Sequence, residues 1–227
     1  MQKTIREAKQ ALRKQVRAEL TQLEPREQAA ASAQARALLA AQALWKTAQW
    51  ILFFAPLPGE LDIWPLLSEA LSAAKRVALP RFVAETRSYE PCQILDPSVD
   101  LQVGHFGIRE PSPRCRPLRS PRVDLILVPG AAFDLRGHRL GRGKGYYDQL
   151  LRGLGGTTCG VVKRRPSHES RRGEAECKQQ AVCHLAWLGR RAHRCINRRV
   201  PFRISASQSK IARTRSRCGS LPGRLIA

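Results

Sequence analysis

Basic residues are interleaved with glycines in the stretch VPGAAFDLRGHRLGRGKGYYD, residues 128–148, and a carboxylate ends it. The side chains that could do chemistry are those of Arg139, Arg142, Lys144 and Asp148. Glycine lets a backbone take positive φ and approach a ligand closely. Cations for phosphate oxygens and one carboxylate for a metal ion are what a nucleoside triphosphate site requires. This stretch therefore predicts a nucleoside triphosphate site with a bound metal ion.

A strand and a helix must position these side chains. The apolar run VDLILVP before the glycines predicts a buried strand, and YYDQLL after them predicts the start of a helix. A glycine loop at such a junction presents backbone N–H groups to phosphate. A Walker A loop is excluded because Gly145 follows Lys144 where Ser or Thr is needed, and the spacing G-x-G-x-G differs from a dinucleotide fingerprint. Spacing alone leaves a flexible basic turn as the alternative.

The full string FD-x-x-G-x-RLGRGKGYYD closely resembles the signature of the 5-formyltetrahydrofolate cyclo-ligase family, also called methenyltetrahydrofolate synthetases. The resemblance implies ATP-dependent cyclisation of 5-formyltetrahydrofolate to 5,10-methenyltetrahydrofolate, with release of ADP and phosphate and with Mg²⁺ as cofactor. It implies catalytic roles for Lys144 and Arg139, and metal binding by Asp148. The ATP-binding residues implied in the loop are Arg139, Leu140, Gly141, Arg142, Gly143, Lys144, Gly145, Tyr146 and Tyr147. Tyr146 and Tyr147 are also expected to contact the folate.

The N-terminal segment has apolar residues at helical spacing, which predicts an amphipathic helix over residues 5–20. Charges on the outer face of such a helix are usually only solvated, and spacing alone leaves that interpretation open for Lys9 and Arg13. The family carries a K-x-x-L-R segment near its N-terminus that contributes to ATP binding. The resemblance therefore implies ATP contacts for Lys9, Gln10, Ala11, Leu12 and Arg13.

Alternating apolar runs and helical patterns predict an α/β fold over residues 1–162, a three-layer αβα domain with a mostly parallel sheet. The predicted strands are 50–56, 76–80, 123–128 and 157–162. The predicted helices after the first are 25–45, 65–74 and 146–154. Residues 81–122 are less regular, and FGIREP within them resembles the family's G-I-x-E-P turn.

Ligands of such sheets bind at the carboxyl ends of strands, and Glu60 follows the first predicted strand in a proline–glycine turn. A lone loop carboxylate is usually only solvated. The family places a folate-contacting Glu after this strand. The resemblance therefore implies substrate binding by Glu60, and by Ala55, which matches another position that lines the substrate.

Residues 163–227 form an atypical basic extension. Residues 161–227 hold 17 Lys and Arg but only 3 Asp and Glu, within a chain of net charge +22. Such a segment could bind nucleic acid through the phosphate backbone. Its Cys and His residues could bind a metal, although their spacing fits no zinc pattern. Poor apolar patterning favours a third hypothesis, out-of-frame translation, and predicts a segment with no fold.

The extension contains no Asp, so the family's second metal-binding Asp is missing and an inactive cyclo-ligase remnant is a further alternative. Nucleic acid is expected as a partner only if the basic extension is genuine. Seven cysteines without a C-x-x-C imply no disulfide framework. No apolar run approaches the roughly 18 residues that span a bilayer, and the N-terminus has no secretory h-region. We expect a cytoplasmic monomer that binds ATP and 5-formyltetrahydrofolate and no membrane.

Overall fold

The computed structural model describes residues 2–118, 122–133, 138–164 and 182–189. The helices are α1 (Gln2–Thr21), α2 (Pro25–Ala41), α3 (Ala43–Thr47), α4 (Trp64–Ser72), α5 (Pro97–Asp100) and α6 (Tyr146–Arg152), with a 3-10 turn η1 (His105–Gly107). The strands are β1 (Trp50–Leu52), β2 (Arg76–Val83), β3 (Ser88–Ile94), β4 (Leu101–Val103), β5 (Arg109–Pro111), β6 (Arg122–Pro129), β7 (Ala132–Phe133), β8 (Arg139–Leu140), β9 (Gly155–Arg164) and β10 (Val182–Gly189).

Six of these strands form a mixed sheet in the order β10–β9–β6–β1–β2–β3. The four central strands run parallel, whereas β3 and β10 at the edges are antiparallel to their neighbours. Ile51 of β1 lies opposite Val77 on one side and Leu125 on the other. The predicted α/β fold with a mostly parallel sheet is confirmed.

Helices cover both faces of the sheet. Successive side chains of a strand point to opposite faces, so Ile51 packs in one cluster with residues of α2 and α4, and Leu52 packs in another with Leu150 and Leu151 of α6. Phe53, just after β1, joins the first cluster and is fully buried. Each apolar face is thus removed from water, which produces three layers.

Two predicted elements have different bounds in the structure. The helix predicted over residues 25–45 is interrupted at Gln42, whose extended backbone ends α2 and begins α3. The segment interpreted as irregular after residue 80 contains a hairpin of β2 and β3, in which Pro80 lies opposite Pro91. Prolines argue against strands in a sequence because they donate no ladder hydrogen bond. Here β3 is at the edge of the sheet, where that loss is tolerated.

The extension contributes a strand to the sheet. The prediction that residues 163–227 have no regular structure is wrong for Lys163 and Arg164, which extend β9, and for residues 182–189, which form β10 beside it. The segment VCHLAWLG is mostly apolar, and its pairing along the open edge of β9 satisfies backbone N–H and C=O groups of both strands. Residues 165–181 and 190–227 lie outside the described residues, and with them most of the side chains on which the nucleic-acid and metal hypotheses depend.

Removal of β10 is expected to lower the Tm of the protein. A chain that ends at Arg164 leaves one edge of β9 unpaired, and we expect a loss of about 1–2 kcal/mol, or roughly 2–8 °C for a domain of this size. Thermal unfolding followed by circular dichroism measures this difference in Tm. The control is a chain that ends at Gly189 and therefore retains β10. Equal melting temperatures for the two chains would show that the strand does not stabilise the sheet.

Lys163 is a buried cation at the end of β9. Its side chain is 4% exposed, and Nζ has no hydrogen-bond partner within the described part of the chain. Burial lowers the pKa of Lys163 below its ordinary value of 10.5. Relative to the unfolded chain, the folded state therefore disfavours the charged form of this amine.

We expect Lys163→Met to raise the free energy of unfolding at pH 7 by about 1–3 kcal/mol, because it removes an unsatisfied buried polar group. Between the lowered folded pKa and 10.5 the unfolded state binds more protons, so the stability of the parent rises with pH in that window. The advantage of the variant should therefore shrink from pH 7 to pH 10. Urea unfolding at both values measures this, and an advantage that grows with pH would contradict the assignment.

Candidate active site

The glycine loop, residues 141–145, connects β8 to α6 near the carboxyl end of β6. Gly143 and Gly145 have φ of +106° and +77°, a region that other residues rarely adopt. Gly141 is constrained differently, because an added Cβ would lie 3.0 Å from a guanidinium nitrogen of Arg139. Gly143 and Gly145 thus meet a backbone requirement, whereas the limit at Gly141 is contact with a side chain. Asp134 and Gly137 of the signature lie outside the described residues.

The N-terminal helix reaches this loop through Arg13. Its Nε donates a hydrogen bond to the carbonyl oxygen of Gly141 at 2.8 Å, and its guanidinium lies next to Gly143. In the rest of the segment 9–13, Lys9 and Leu12 are partly buried, whereas Gln10 and Ala11 are exposed. The fold therefore brings α1 and the glycine loop together at Arg13, although 128 residues separate Arg13 from Gly141.

Glu60 reaches the same loop from the carboxyl end of β1. Its Oε1 accepts hydrogen bonds from Arg142 Nε at 3.1 Å and Nη2 at 2.7 Å, and its Oε2 accepts one from the Leu57 backbone N–H at 2.9 Å. Because β1 and β6 are adjacent parallel strands, the segments that follow them meet. Ala55, on the way from β1 to Glu60, is buried at 8% exposure.

Arg139 and Asp148 form an ion pair at the start of α6. Arg139 Nη2 donates to Asp148 Oδ1, and Nη1 donates to the Pro129 carbonyl oxygen at 3.0 Å. The guanidinium also lies 5.7 Å from the ring centre of Tyr147. Arg139 is only 11% exposed, so its charge is directed at Asp148 and the end of β6 and not at solvent.

Arg142 and Lys144 are the exposed cations of the glycine loop. Within the described residues Lys144 makes no hydrogen bond or ion pair, whereas Arg142 is held by Glu60. The described residues contain no group of three His, Cys, Asp or Glu side chains that could hold a metal ion. A metal at Asp148 would therefore need oxygens from a bound ligand, as Mg²⁺ on a nucleotide has.

Five rings form an aromatic cluster beside the loop: Phe82, Tyr89, His105, Tyr146 and Tyr147. The Tyr146 ring centre lies 5.2 Å from that of Phe82 and 5.6 Å from that of Tyr89, and Tyr147 lies 5.6 Å from Tyr89. Burial raises the pKa of Tyr89 to about 12 and the pKa of Tyr147 well above 10. Both phenols are therefore neutral hydrogen-bonding groups at physiological pH.

Sequence reasoning missed Phe82, Tyr89 and the neighbouring carboxylate Glu110. Phe82 and Tyr89 lie opposite each other in the β2–β3 hairpin. The signal that could have found them is the turn AETR between the two aromatic residues, because a short polar turn flanked by aromatics is typical of a hairpin. Glu110 was visible only as part of FGIREP, with no indication of its partners.

This arrangement can be compared with known proteins. A sequence profile of the 5-formyltetrahydrofolate cyclo-ligase family matches residues 5–165, which include Arg13, Glu60 and the whole glycine loop. The chain belongs to this family. The cyclo-ligase match ends at residue 165, so β10 lies beyond it.

Individual relatives of the cyclo-ligase family give the same result. The NMR structure of Aquifex aeolicus 5,10-methenyltetrahydrofolate synthetase superimposes with a TM-score of 0.62 at 31% identity, over 79% of this chain and 92% of that chain. A probable 5-formyltetrahydrofolate cyclo-ligase of Schizosaccharomyces pombe is 32% identical over 110 residues, 47% of this chain and 53% of that protein. The 5-formyltetrahydrofolate cyclo-ligase of Escherichia coli K12 is 36% identical over 107 residues, 46% of this chain and 58% of that protein.

The chain spans about half the length of the curated cyclo-ligases it matches. The matched part nevertheless contains the glycine loop and the segments that contact it. None of the described helices combines the length and the apolar character that crossing a membrane requires.

Proposed function

We propose that this chain catalyses the ATP-dependent cyclisation of 5-formyltetrahydrofolate to 5,10-methenyltetrahydrofolate. The observation that carries the proposal is the meeting of Arg13, Glu60 and the glycine loop at the carboxyl edge of the sheet. Three segments far apart in sequence converge there on cations and backbone suited to a triphosphate. The family match over the same segments supports the enzyme over a protein that only binds nucleic acid.

The reaction needs an activated formyl oxygen, because an amide oxygen is a poor leaving group. The formyl oxygen attacks the γ-phosphorus of ATP, the bond from that phosphorus to the bridging oxygen breaks, and ADP leaves. N10 then attacks the formyl carbon and closes the ring. The carbon–oxygen bond breaks, inorganic phosphate departs with that oxygen, and N10 loses its proton, so the product retains one positive charge. The protein contributes positioning and charge stabilisation.

Arg142, Lys144 and the backbone of residues 141–145 would hold the triphosphate. Lys144 is exposed and unpaired among the described residues, so its three N–H donors are available to phosphate oxygens. Arg13 closes the loop from the side of α1. In this proposal Arg139 acts indirectly, since its contacts with Asp148 and Pro129 hold the start of α6.

Asp148 would hold Mg²⁺ together with the phosphate oxygens. One carboxylate fits this role because Mg²⁺ on a nucleotide usually takes only one or two protein carboxylates. Asp148 is 27% exposed and only its Oδ1 is bound to Arg139, which leaves Oδ2 for the ion. When bound, the metal would neutralise charge that develops on the transferred phosphoryl group.

The folate would lie between Glu60 and the aromatic cluster. Tyr146 belongs to the cluster and directly follows the glycine loop, so a flat ring packed on it would be close to the phosphates. Glu60 supplies a carboxylate, which accepts hydrogen bonds from ring N–H groups. Ala55 contributes a small side chain where a larger one would reduce the space near β1.

The proposal is tested by incubating the purified chain with ATP, Mg²⁺ and 5-formyltetrahydrofolate. We expect the near-UV absorbance of the methenyl product to appear, with stoichiometric release of ADP. A parallel incubation without ATP is the control for acid-driven cyclisation. Equal rates with and without ATP would rule the activity out and would leave an inactive family member.

A further inference from the structure

Glu110 on β5 is a buried carboxylate with an unusual set of contacts. It is 3% exposed, its Oε2 accepts a hydrogen bond from the Phe82 backbone N–H at 3.2 Å, and the backbone of His105 donates a second hydrogen bond to the carboxylate. Within the described residues Oε1 has no hydrogen-bond partner. A buried polar atom without a partner costs stability. Packing alone therefore does not explain why a carboxylate is found here.

The two amides that Glu110 holds belong to different elements. Phe82 is on β2, whereas His105 begins η1, and their rings stack with centres 4.3 Å apart and planes 14° apart. The Phe82 ring then contacts Tyr146, which directly follows the glycine loop. One carboxylate thus connects two backbone segments whose side chains form one wall of the aromatic cluster.

The surrounding backbone leaves room for the Glu110 carboxylate only because residue 104 is glycine. An added Cβ at Gly104 would lie 2.6 Å from Oε2 and 2.8 Å from Cβ of Glu110. The φ of Gly104 is −104°, which any residue can adopt, so the need for glycine here is steric. Gly104→Ala should therefore displace the carboxylate without removing it.

We propose that Glu110 is a positioning residue that holds the Phe82–His105 pair in place as the wall against which the folate ring packs. The identity of the ligand rests on the proposed function, whereas the positioning of the rings does not. Glu110 itself need not touch the folate. The oxygen that accepts the two amides, and not the negative charge, is what the wall requires.

The chain offers a matched control at the amino ends of the central strands, at the other end of the sheet from the glycine loop. Asp124 also accepts two backbone amides, those of Gln49 at 2.8 Å and Trp50 at 2.9 Å. These contacts lie at the amino ends of β1 and β6, away from the glycine loop. Asp124→Ala therefore removes the same type of anchor without disturbing the aromatic cluster.

The first measurement is the chemical shift of the His105 imidazole protons in the ligand-free protein, which the stacked Phe82 ring displaces. We expect Glu110→Ala and Gly104→Ala to move this shift toward that of a free imidazole, and Glu110→Gln, which keeps a carbonyl acceptor, to preserve it. Asp124→Ala should leave it unchanged. If Glu110→Ala fails to fold, Gly104→Ala alone decides, and an unmoved His105 shift in a folded variant overturns the proposal.

The second measurement separates the KM for 5-formyltetrahydrofolate from the KM for ATP. Glu110→Ala should raise the folate KM by at least about tenfold, since a misplacement of about 1 Å can cost as much as 10²-fold, and leave the ATP KM nearly unchanged. The Glu110→Gln variant should have the folate KM of the parent. If Glu110→Ala raised both KM values equally and Asp124→Ala had the same effect, Glu110 would be only a structural anchor. If the parent chain shows no cyclisation, the proposed function fails while the His105 measurement still tests the wall.

Discussion

Replacement of Lys144 by alanine is expected to lower kcat for cyclisation by about 10²-fold or more, the usual cost of one preorganised electrostatic contact in a transition state. Lys144 lies between Gly143 and Gly145, whose positive φ angles define the shape of the loop. Its amine is exposed and forms no ion pair with the described residues. Its charge is therefore available to the phosphoryl group, and the KM for 5-formyltetrahydrofolate should change little.

The control for Lys144→Ala is Lys46→Ala, which removes an exposed cation from α3, before the amino end of β1. Both variants should keep the melting temperature of the parent, because neither side chain is buried. Steady-state kinetics at saturating ATP then compares the two. A Lys144→Ala enzyme that turns over at the parent rate would refute the phosphate role assigned to the loop.

Asp148→Asn is expected to raise the Mg²⁺ concentration needed for half-maximal activity by at least about tenfold, because the loss of even an outer-shell partner of a metal ligand commonly costs 10–100-fold in affinity. Asparagine keeps the shape and one carbonyl oxygen but loses the charge that a hard cation prefers. Activity measured against Mg²⁺ at constant free ATP checks this. An unchanged titration would mean that the metal is bound by the nucleotide alone.

The ion pair with Arg139 makes a second variant necessary. Asp148→Asn also leaves Arg139, which is 11% exposed, without its carboxylate partner, so a rate loss alone is ambiguous. Arg139→Met breaks the same pair but keeps the proposed metal ligand. If Arg139→Met lowers kcat without changing the Mg²⁺ concentration for half-maximal activity, while Asp148→Asn raises that concentration, the ion pair and the metal binding of Asp148 are separate roles. Identical Mg²⁺ titrations for both variants would assign the effect to the ion pair.

Sequence alone predicted the features that depend on near neighbours. The apolar spacing in residues 5–20 predicted α1, and the run VDLILVP predicted β6, because a helix or strand face is determined by residues a few positions apart. The glycines at 143 and 145 predicted a loop of special backbone conformation, and both have positive φ. The composition of that loop was also sufficient to recognise the family that the profile match confirms.

Contacts between distant residues determined features that the sequence pattern did not show. Arginine is a residue type that binds phosphate. In this fold the guanidinium of Arg139 instead contacts Asp148 and the Pro129 carbonyl oxygen, because α6 and the end of β6 lie next to it. Residues 182–189 are mostly apolar, but only their pairing with the open edge of β9 makes them a strand of this sheet.

The tertiary structure assembled the aromatic cluster and gave Glu110 its contacts. Phe82 and Tyr89 meet because β2 and β3 form a hairpin, and Tyr146 joins them because α6 packs beside β3. Glu110 gains its partners only when β5 comes next to β2 and η1. Side-chain type limits what each residue can bind, but which groups face each other depends on strand order and helix packing, and these follow from burying two apolar sheet faces at once.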